Sequence, residues 1–107
     1  MRRIARTGAA ALLALGLALP AAAGEVTVTV GHNRIEPAEI RIQVGDTVVF
    51  HNVDEMPGGH TIVAKDGSFA SPPLGKDEKW SHAFEKAGRF PIQIKQHPDA
   101  VGEIVVE

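Results

Sequence analysis

The side chains of this chain that could do chemistry are five histidines and one loop methionine, with no cysteine among its 107 residues. Neutral imidazoles suit late first-row metal ions. Met56 lies four residues before His60, and its thioether is a soft donor that would favour Cu(I). Since no thiolate is available, any metal centre must be built from imidazole, thioether, carboxylate or water ligands.

The sequence lacks the motifs of the common enzyme classes. It contains no nucleophile elbow, no phosphate-binding glycine loop and no His-Glu-x-x-His pattern. Asp54 and Glu55 are adjacent carboxylates, but such a pair in a turn is more typical of a solvated loop. Two histidines on an open metal ion could support hydrolysis in principle, and nothing else in the sequence indicates it. We therefore predict that the protein is not an enzyme.

The first residues resemble a targeting segment rather than part of a fold. Arg2, Arg3 and Arg6 precede an apolar run over residues 8–19, and Pro20 is followed by three alanines. This order is typical of a secretory signal peptide with a small-residue cleavage site. The apolar run is shorter than the roughly 20 residues that a membrane-spanning helix needs. We predict a signal peptide over residues 1–23, a domain over residues 24–107 and export to the periplasm, by either the general or the twin-arginine route.

Length and charge restrict the partners of the exported domain. A chain of 107 residues is expected to form one domain, and its formal net charge of −2 becomes more negative once the three arginines are removed. Nucleic acids select basic patches, so a nucleic-acid partner is not expected, and nothing indicates membrane attachment after cleavage. We predict a monomer. A domain this small without disulfides must be held by its sheet packing or by a metal.

The chain from residue 24 onward reads as a series of short strands. Apolar and polar residues alternate with the period of two that is typical of half-buried strands, and glycine- and proline-containing turns separate the runs. No stretch shows helical periodicity. About seven strands predict an all-β, antiparallel β-sandwich. The apolar positions that carry this pattern include Val26, Val28, Val30, Ile40, Ile42, Val44, Phe90, Ile92 and Ile94.

Three runs, in this order along the chain, resemble the cupredoxin family, particularly its plastocyanin and amicyanin branch of blue-copper proteins. Together they cover nearly the whole predicted domain. The resemblance implies a Greek-key β-sandwich and copper as the cofactor. The runs are Ile35-Glu36-Pro37-Ala38-Glu39-Ile40 continuing through Val44-Gly45-Asp46-Thr47-Val48-Val49-Phe50, then His60 to Phe69, and then Gly88 to Gly102.

The resemblance also implies which residues correspond to the copper ligands of the family. That site comprises one histidine followed, later in the chain, by a Cys-x-x-His-x-x-Met loop. His60 and His97 match the two imidazole ligands, whereas Ile94 stands at the cysteine position and Ala100 at the methionine position. Two glycines also separate Pro57 from His60, where the family commonly places proline directly before the histidine. This insertion is expected to displace or loosen His60.

Loss of the thiolate changes the expected chemistry. Ile94 continues an apolar stripe on its strand, so we predict that it packs in the core, and a blue copper site is excluded. Two histidines alone leave a copper site incomplete, and Met56 is the predicted third donor. His51 and Asp99 are alternative donors that we expect to be surface residues.

The remaining two histidines have other expected roles. His82 lies between Trp80 and Phe84 in a strand pattern, so we interpret it as a structural residue. His32, near the end of the first strand, has no partner in the sequence, and we expect it to be a surface residue.

Three hypotheses follow for the function. The first is an exported copper-binding protein with a non-blue site at His60, His97 and Met56, acting in copper handling, alone or with an exported redox or copper-handling partner. The second is a periplasmic electron carrier that uses this atypical centre, and the absence of a thiolate argues against it. The third is a metal-free β-sandwich that serves as an interaction module, and retention of both histidines argues against it.

Overall fold

The computed structural model describes residues 23–107, which form eight β-strands and no helix. The predicted signal peptide over residues 1–23 lies outside the described residues except for Ala23. Within residues 23–107, no helix is long and apolar enough to cross a membrane. The strands are β1 (Glu25–Val30), β2 (Ile35–Glu36), β3 (Glu39–Ile42), β4 (Thr47–Asn52), β5 (Ile62–Ala64), β6 (Lys79–Ala83), β7 (Gly88–Ile94) and β8 (His97–Val106).

The strands form two four-stranded sheets, and this confirms the predicted all-β sandwich. The order is β2-β1-β4-β6 in one sheet and β3-β8-β7-β5 in the other. Each sheet contains one parallel pair, β1 with β4 and β3 with β8, so the sheets are mixed rather than purely antiparallel. Parallel neighbours need a crossover connection, and the segment containing β2 and β3 supplies one by passing from the first sheet to the second before β4 returns.

The strand count differs from the predicted seven because one short element was not visible in the pattern. Ile35 and Glu36 pair antiparallel with the end of β1 and form β2. Two residues are too few to show an alternation of buried and exposed side chains, so this strand was not predictable from the pattern.

The core lies between the two sheets and follows the predicted alternation except at Val44, which lies beyond the end of β3 and is 48% exposed. Val28 and Val30 from β1 are fully buried, as are Ile92 and Ile94 from β7. The prediction that Ile94 continues the apolar stripe of its strand is confirmed. The position that the family resemblance assigns to a copper thiolate is therefore filled by a hydrocarbon side chain of the core.

A tight hairpin joins β7 to β8. Ile94 pairs with His97 across the turn formed by Lys95 and Gln96, with a register shift between Gln93 and Ile94. The backbone N–H of Lys95 donates to the carbonyl of Thr61 at 2.8 Å. The Gln96 amide accepts from the Thr61 N–H at 2.8 Å and donates to its hydroxyl at 3.0 Å. These bonds fasten the turn before His97 to the residue that follows His60.

Candidate metal centre

His60 is fixed at the end of the loop between β4 and β5. Its backbone exchanges two hydrogen bonds with Leu74, at 2.9 Å and 2.8 Å. The preceding Gly59 has φ +75°, and a Cβ there would lie 2.8 Å from the Leu74 carbonyl oxygen. Glycine is required for this close approach, because an L side chain would be strained by the φ angle and would collide with the opposite backbone. The close approach at Gly59 and the paired backbone of His60 therefore hold this residue in place, contrary to the expected loosening.

The His60 ring is fully buried, and only one of its two nitrogens has a hydrogen-bond partner among the described residues. Its Nε2 lies 2.9 Å from Oδ2 of Asp54, whereas its Nδ1 is buried without a hydrogen-bond partner among the described residues. Buried polar atoms nearly always have a partner, and an orphan calls for an explanation. A hydrogen bond that places the proton on Nε2 leaves Nδ1 with a free lone pair, which is the state in which an imidazole binds a metal ion.

Asp54 is the carboxylate of this cluster. Its Oδ2 also lies 3.1 Å from Nδ1 of His32, and its backbone N–H donates to the buried Asn52 amide oxygen at 3.1 Å. The Asn52 amide nitrogen lies within 3.0 Å of the carbonyls of Asp54, Leu74 and Gly75. The hydrogen bonds from His60 and then from His32 lower the pKa of the Asp54 carboxyl. The carboxylate is thus ionised and held in place.

His97 and Met56 complete the contacts at this end of the sandwich. His97 is the first residue of β8 and is half-buried. Its Nε2 lies 3.4 Å from the Met56 sulfur, and its ring centroid lies 5.4 Å from that of His60. The structure therefore brings together all three residues named from the sequence, although His97 is 41 residues from Met56 along the chain.

His32 is exposed, as expected, but it also belongs to the same cluster, which the sequence did not indicate. Its side chain is 66% exposed, but its ring centroid lies 4.7 Å from that of His97. One nitrogen each from His32, His60 and His97 lie within 4.8 Å of one another. The cause is the parallel register that pairs Val30 with Asn52, which carries the residues after β1 to those after β4. The β1 and β4 patterns alone do not reveal that pairing.

The other candidate donors lie outside the cluster. His51 is on β4, and its Nε2 lies 3.5 Å from the Asp77 carboxylate. Asp99 is exposed on β8 and is not part of the cluster. His82 stacks on Phe69, with ring centroids 4.4 Å apart, and burial lowers its pKa. This packing agrees with the structural role that the sequence indicates for His82.

The residues at this end suit a late first-row metal ion such as copper. They offer imidazole nitrogens and a thioether sulfur. One of these nitrogens, His60 Nδ1, is buried without a hydrogen-bond partner among residues 23–107. The Asp54 carboxylate accepts hydrogen bonds from the imidazoles, as carboxylates beside metal-binding histidines commonly do. A blue copper site is not possible because the sequence contains no cysteine. The chemistry available is that of an imidazole-based site open to solvent on the side of His32.

Comparison with known proteins identifies the family to which this fold belongs. A family profile described as the Cupredoxin-like domain matches residues 5–106. Amicyanin from Paracoccus denitrificans is 30% identical over 87 residues, which are 78% of this chain, and the chain spans 66% of the length of that relative.

Solved structures share the fold. A Cu-containing nitrite reductase from Thermus scotoductus SA-01 matches at a TM-score of 0.71 and 32% identity, over 89% of this chain but only 25% of that enzyme. A purple cupredoxin from Nitrosopumilus maritimus matches at a TM-score of 0.65 and 27% identity, over 77% of this chain and 99% of that protein. The profile match, the two-sheet sandwich and the histidine cluster at its end together lead to one conclusion: the chain belongs to the cupredoxin family.

Proposed function

We propose that this protein is an exported copper-binding protein that handles copper through a non-blue site built on His60 and His97, with the Met56 thioether as a further donor. One observation carries the proposal. The Nδ1 atom of His60 is buried and has no hydrogen-bond partner within residues 23–107, and it belongs to a ring whose other nitrogen is held by Asp54. An imidazole prepared in this way, beside a second imidazole and a thioether, suits a metal ion better than it suits a packing role.

The donor set favours copper among the metals that imidazole binds. Imidazole is a good ligand for copper in both common oxidation states, and a thioether adds preference for Cu(I). The relatives support the same metal, since the matched nitrite reductase is a copper protein by name. When bound, copper would supply a redox-active and Lewis-acidic centre, and the residues of this chain would hold it in place.

Binding and transfer of copper fit the site better than rapid electron transfer. A thiolate gives blue copper its strong covalency and its small reorganisation on oxidation and reduction. Ile94 occupies the corresponding position and is fully buried in the core, so no donor can replace the sulfur there. The exposure of His32 at the rim of the cluster leaves the site accessible to a partner that delivers or removes copper.

Export is supported by the amino-terminal residues. The arginine, apolar and small-residue segments over residues 1–23 are typical of a signal peptide, and we assign the mature protein to the periplasm. Its partner would be another exported protein that carries copper or electrons. A monomer is sufficient for this role, because all the residues of the proposed site come from one chain.

The test is a copper titration of the purified protein with Cu(II) and with Cu(I), against a competing chelator. We expect the wild-type protein to take up one copper ion and a His60→Ala/His97→Ala double variant to lose tight binding. A His51→Ala variant is the matched control, because it removes a histidine outside the cluster. Equal copper affinity of the wild-type protein and the double variant would contradict the proposal. Fast reversible redox cycling of the bound copper would favour the electron-carrier alternative.

A further inference from the structure

Met56 carries the only sulfur atom of residues 23–107. The chain contains no cysteine, and its other methionine is Met1. Peroxides oxidise the sulfur atoms of cysteine and methionine. Within the described residues, oxidation of sulfur is therefore confined to Met56.

A tight turn fixes the backbone at Met56. The Gly59 N–H donates to the Met56 carbonyl at 2.9 Å, and the two glycines of the turn have φ angles of +85° at Gly58 and +75° at Gly59. His60 follows directly and is paired with Leu74 through two backbone hydrogen bonds. The turn therefore holds the methionine beside the histidines at this end of the sandwich.

The Met56 side chain is partly open to solvent. It is half-buried, and its neighbours Glu55 and Pro57 are exposed. The His60 ring, in contrast, is fully buried. A molecule as small as hydrogen peroxide can therefore approach Met56 from solvent without any opening of the core.

The Met56 sulfur faces the His97 imidazole at the distance of two ligands of one ion. His97 Nε2 lies 3.4 Å from the sulfur, and a nitrogen and a sulfur bound to one tetrahedral ion at about 2.0 and 2.3 Å lie roughly 3.5 Å apart. An N–H···O hydrogen bond alone spans about 2.9 Å, so an oxygen placed on the sulfur toward His97 would push the two groups apart. Oxidation of Met56 would thus change the thioether and the position of His97 together.

We propose that Met56 is an oxidation switch of the copper site, at which hydrogen peroxide converts the thioether to a sulfoxide and weakens Cu(I) binding. The inference rests on the proposed copper-binding function. A sulfur lone pair attacks one peroxide oxygen, and the S–O bond forms as the O–O bond breaks. The proton on the transferred oxygen passes to the departing one, which leaves as water. The sulfur loses two electrons and the peroxide gains them, so the soft thioether becomes a polar group that suits Cu(I) poorly.

The test treats the metal-free protein with hydrogen peroxide and locates the added oxygen by mass spectrometry of its peptides. We expect one oxygen on the Met56 peptide. Cu(I) affinity in chelator competition should then fall by about tenfold or more, as it does when a metal site loses a supporting group. Cu(II) affinity should fall less, because the imidazoles remain. Reductases for both sulfoxide epimers should restore Cu(I) binding.

Met56→Leu is the matched control. It has no sulfur at this position, so its Cu(I) affinity should be lower from the start and unchanged by peroxide. Nuclear magnetic resonance of the metal-free protein supplies a measurement without copper. The imidazole signals of His97 should shift on oxidation, whereas those of His82, which stacks on Phe69 outside the cluster, should not.

The outcomes separate the switch from the proposed function. If Met56 resists peroxide that oxidises free methionine, or if its sulfoxide leaves Cu(I) affinity unchanged, the switch is wrong while copper binding at His60 and His97 stands. An equal loss of affinity in peroxide-treated Met56→Leu would assign the effect to other residues and also overturn it. If the wild type binds copper no more tightly than the His60→Ala/His97→Ala variant, the proposed function fails and the switch fails with it. A loss that is absent from Met56→Leu and reversed by the reductases would establish the switch.

Discussion

His60 and Asp54 form a partly buried pair in which Nε2 of the imidazole lies 2.9 Å from Oδ2 of the carboxylate, while the other ring nitrogen has no partner among residues 23–107. The ring is fully buried and the Asp54 side chain is 24% exposed. An imidazole packed only for its bulk would need neither the carboxylate nor the vacant lone pair. The pair therefore links the local fold to the proposed metal binding, and it is open to direct mutagenesis.

Removal of the Asp54 carboxylate should weaken copper binding. In an Asp54→Ala variant, neither His60 nor His32 has the acceptor that orients its ring, and loss of such an acceptor typically lowers metal affinity about 10- to 100-fold. Chelator competition with Cu(II) measures the change. Asp99→Ala is the control, because Asp99 is an exposed carboxylate just beyond His97 and outside the cluster. A comparable loss in the control would make Asp99 a ligand and contradict the role given to Asp54.

The two inserted glycines provide a matched pair of substitutions. Gly58 and Gly59 have φ angles of +85° and +75°, but a Cβ on Gly58 would meet no atom within 4 Å, whereas a Cβ on Gly59 would lie 2.8 Å from the Leu74 carbonyl oxygen. Both alanine variants should lose about 1–2 kcal/mol for the left-handed backbone. Gly59→Ala should lose more, and it should also weaken copper binding by shifting His60. Urea unfolding of the metal-free proteins gives the comparison, and equal losses would contradict the close approach.

Ile94 should contribute to stability as a core residue. Its side chain is 0% exposed, and truncation of a buried isoleucine to alanine typically destabilises a protein by about 2–5 kcal/mol. Val101 on β8 is 46% exposed, so Val101→Ala should change the free energy of unfolding by less than about 0.5 kcal/mol. Urea unfolding of both variants measures the difference. A small effect at Ile94 would mean that the position is not a packed part of the core.

Asp46 should make the fold sensitive to acid. Its two oxygens accept hydrogen bonds from the backbone N–H groups of Gly24, at 2.8 Å, and Gln43, at 2.9 Å. The bond from Gln43, followed by that from Gly24, lowers the pKa of the Asp46 carboxyl. Because the pKa is lower in the folded state, this stabilisation is present above the ordinary value of 3.8 and is lost as the pH falls through the folded-state pKa.

An Asp46→Asn variant tests that dependence. It should be less stable than the wild type at neutral pH, and the difference should shrink as the pH is lowered from about 5 towards 2. Thermal unfolding of the metal-free proteins across this range measures both quantities, with Asp99→Asn as the control. A difference between Asp46→Asn and the wild type that stays constant with pH would rule out the Asp46 hydrogen bonds as its source.

The strands and core were predictable from the sequence because period-two alternation reports directly on burial. The burial of Ile94 followed from the stripe that it shares with Ile92. The proximity of His60 and His97 came from a family resemblance, whereas Met56 was named because it lies four residues before His60. His32 was missed because its place depends on the parallel pairing of β1 with β4, which joins residues distant in sequence. The roles of Asp54 and Asn52 were missed for the same reason, since hydrogen-bond partners across a loop leave no periodic signal.

The three histidines come from distant points of the chain and from both sheets, and they meet at one end of the sandwich. His32 follows a strand of the first sheet, whereas His60 precedes and His97 begins strands of the second. A copper ion held by His60 and His97 would act as a crosslink between two distant loops in a chain that contains no cysteine. The unfolded chain holds the same imidazoles far apart, so the ion would bind the folded form selectively and stabilise it by mass action. Resistance of the protein to proteolysis would then rise and fall with the copper supply of its compartment.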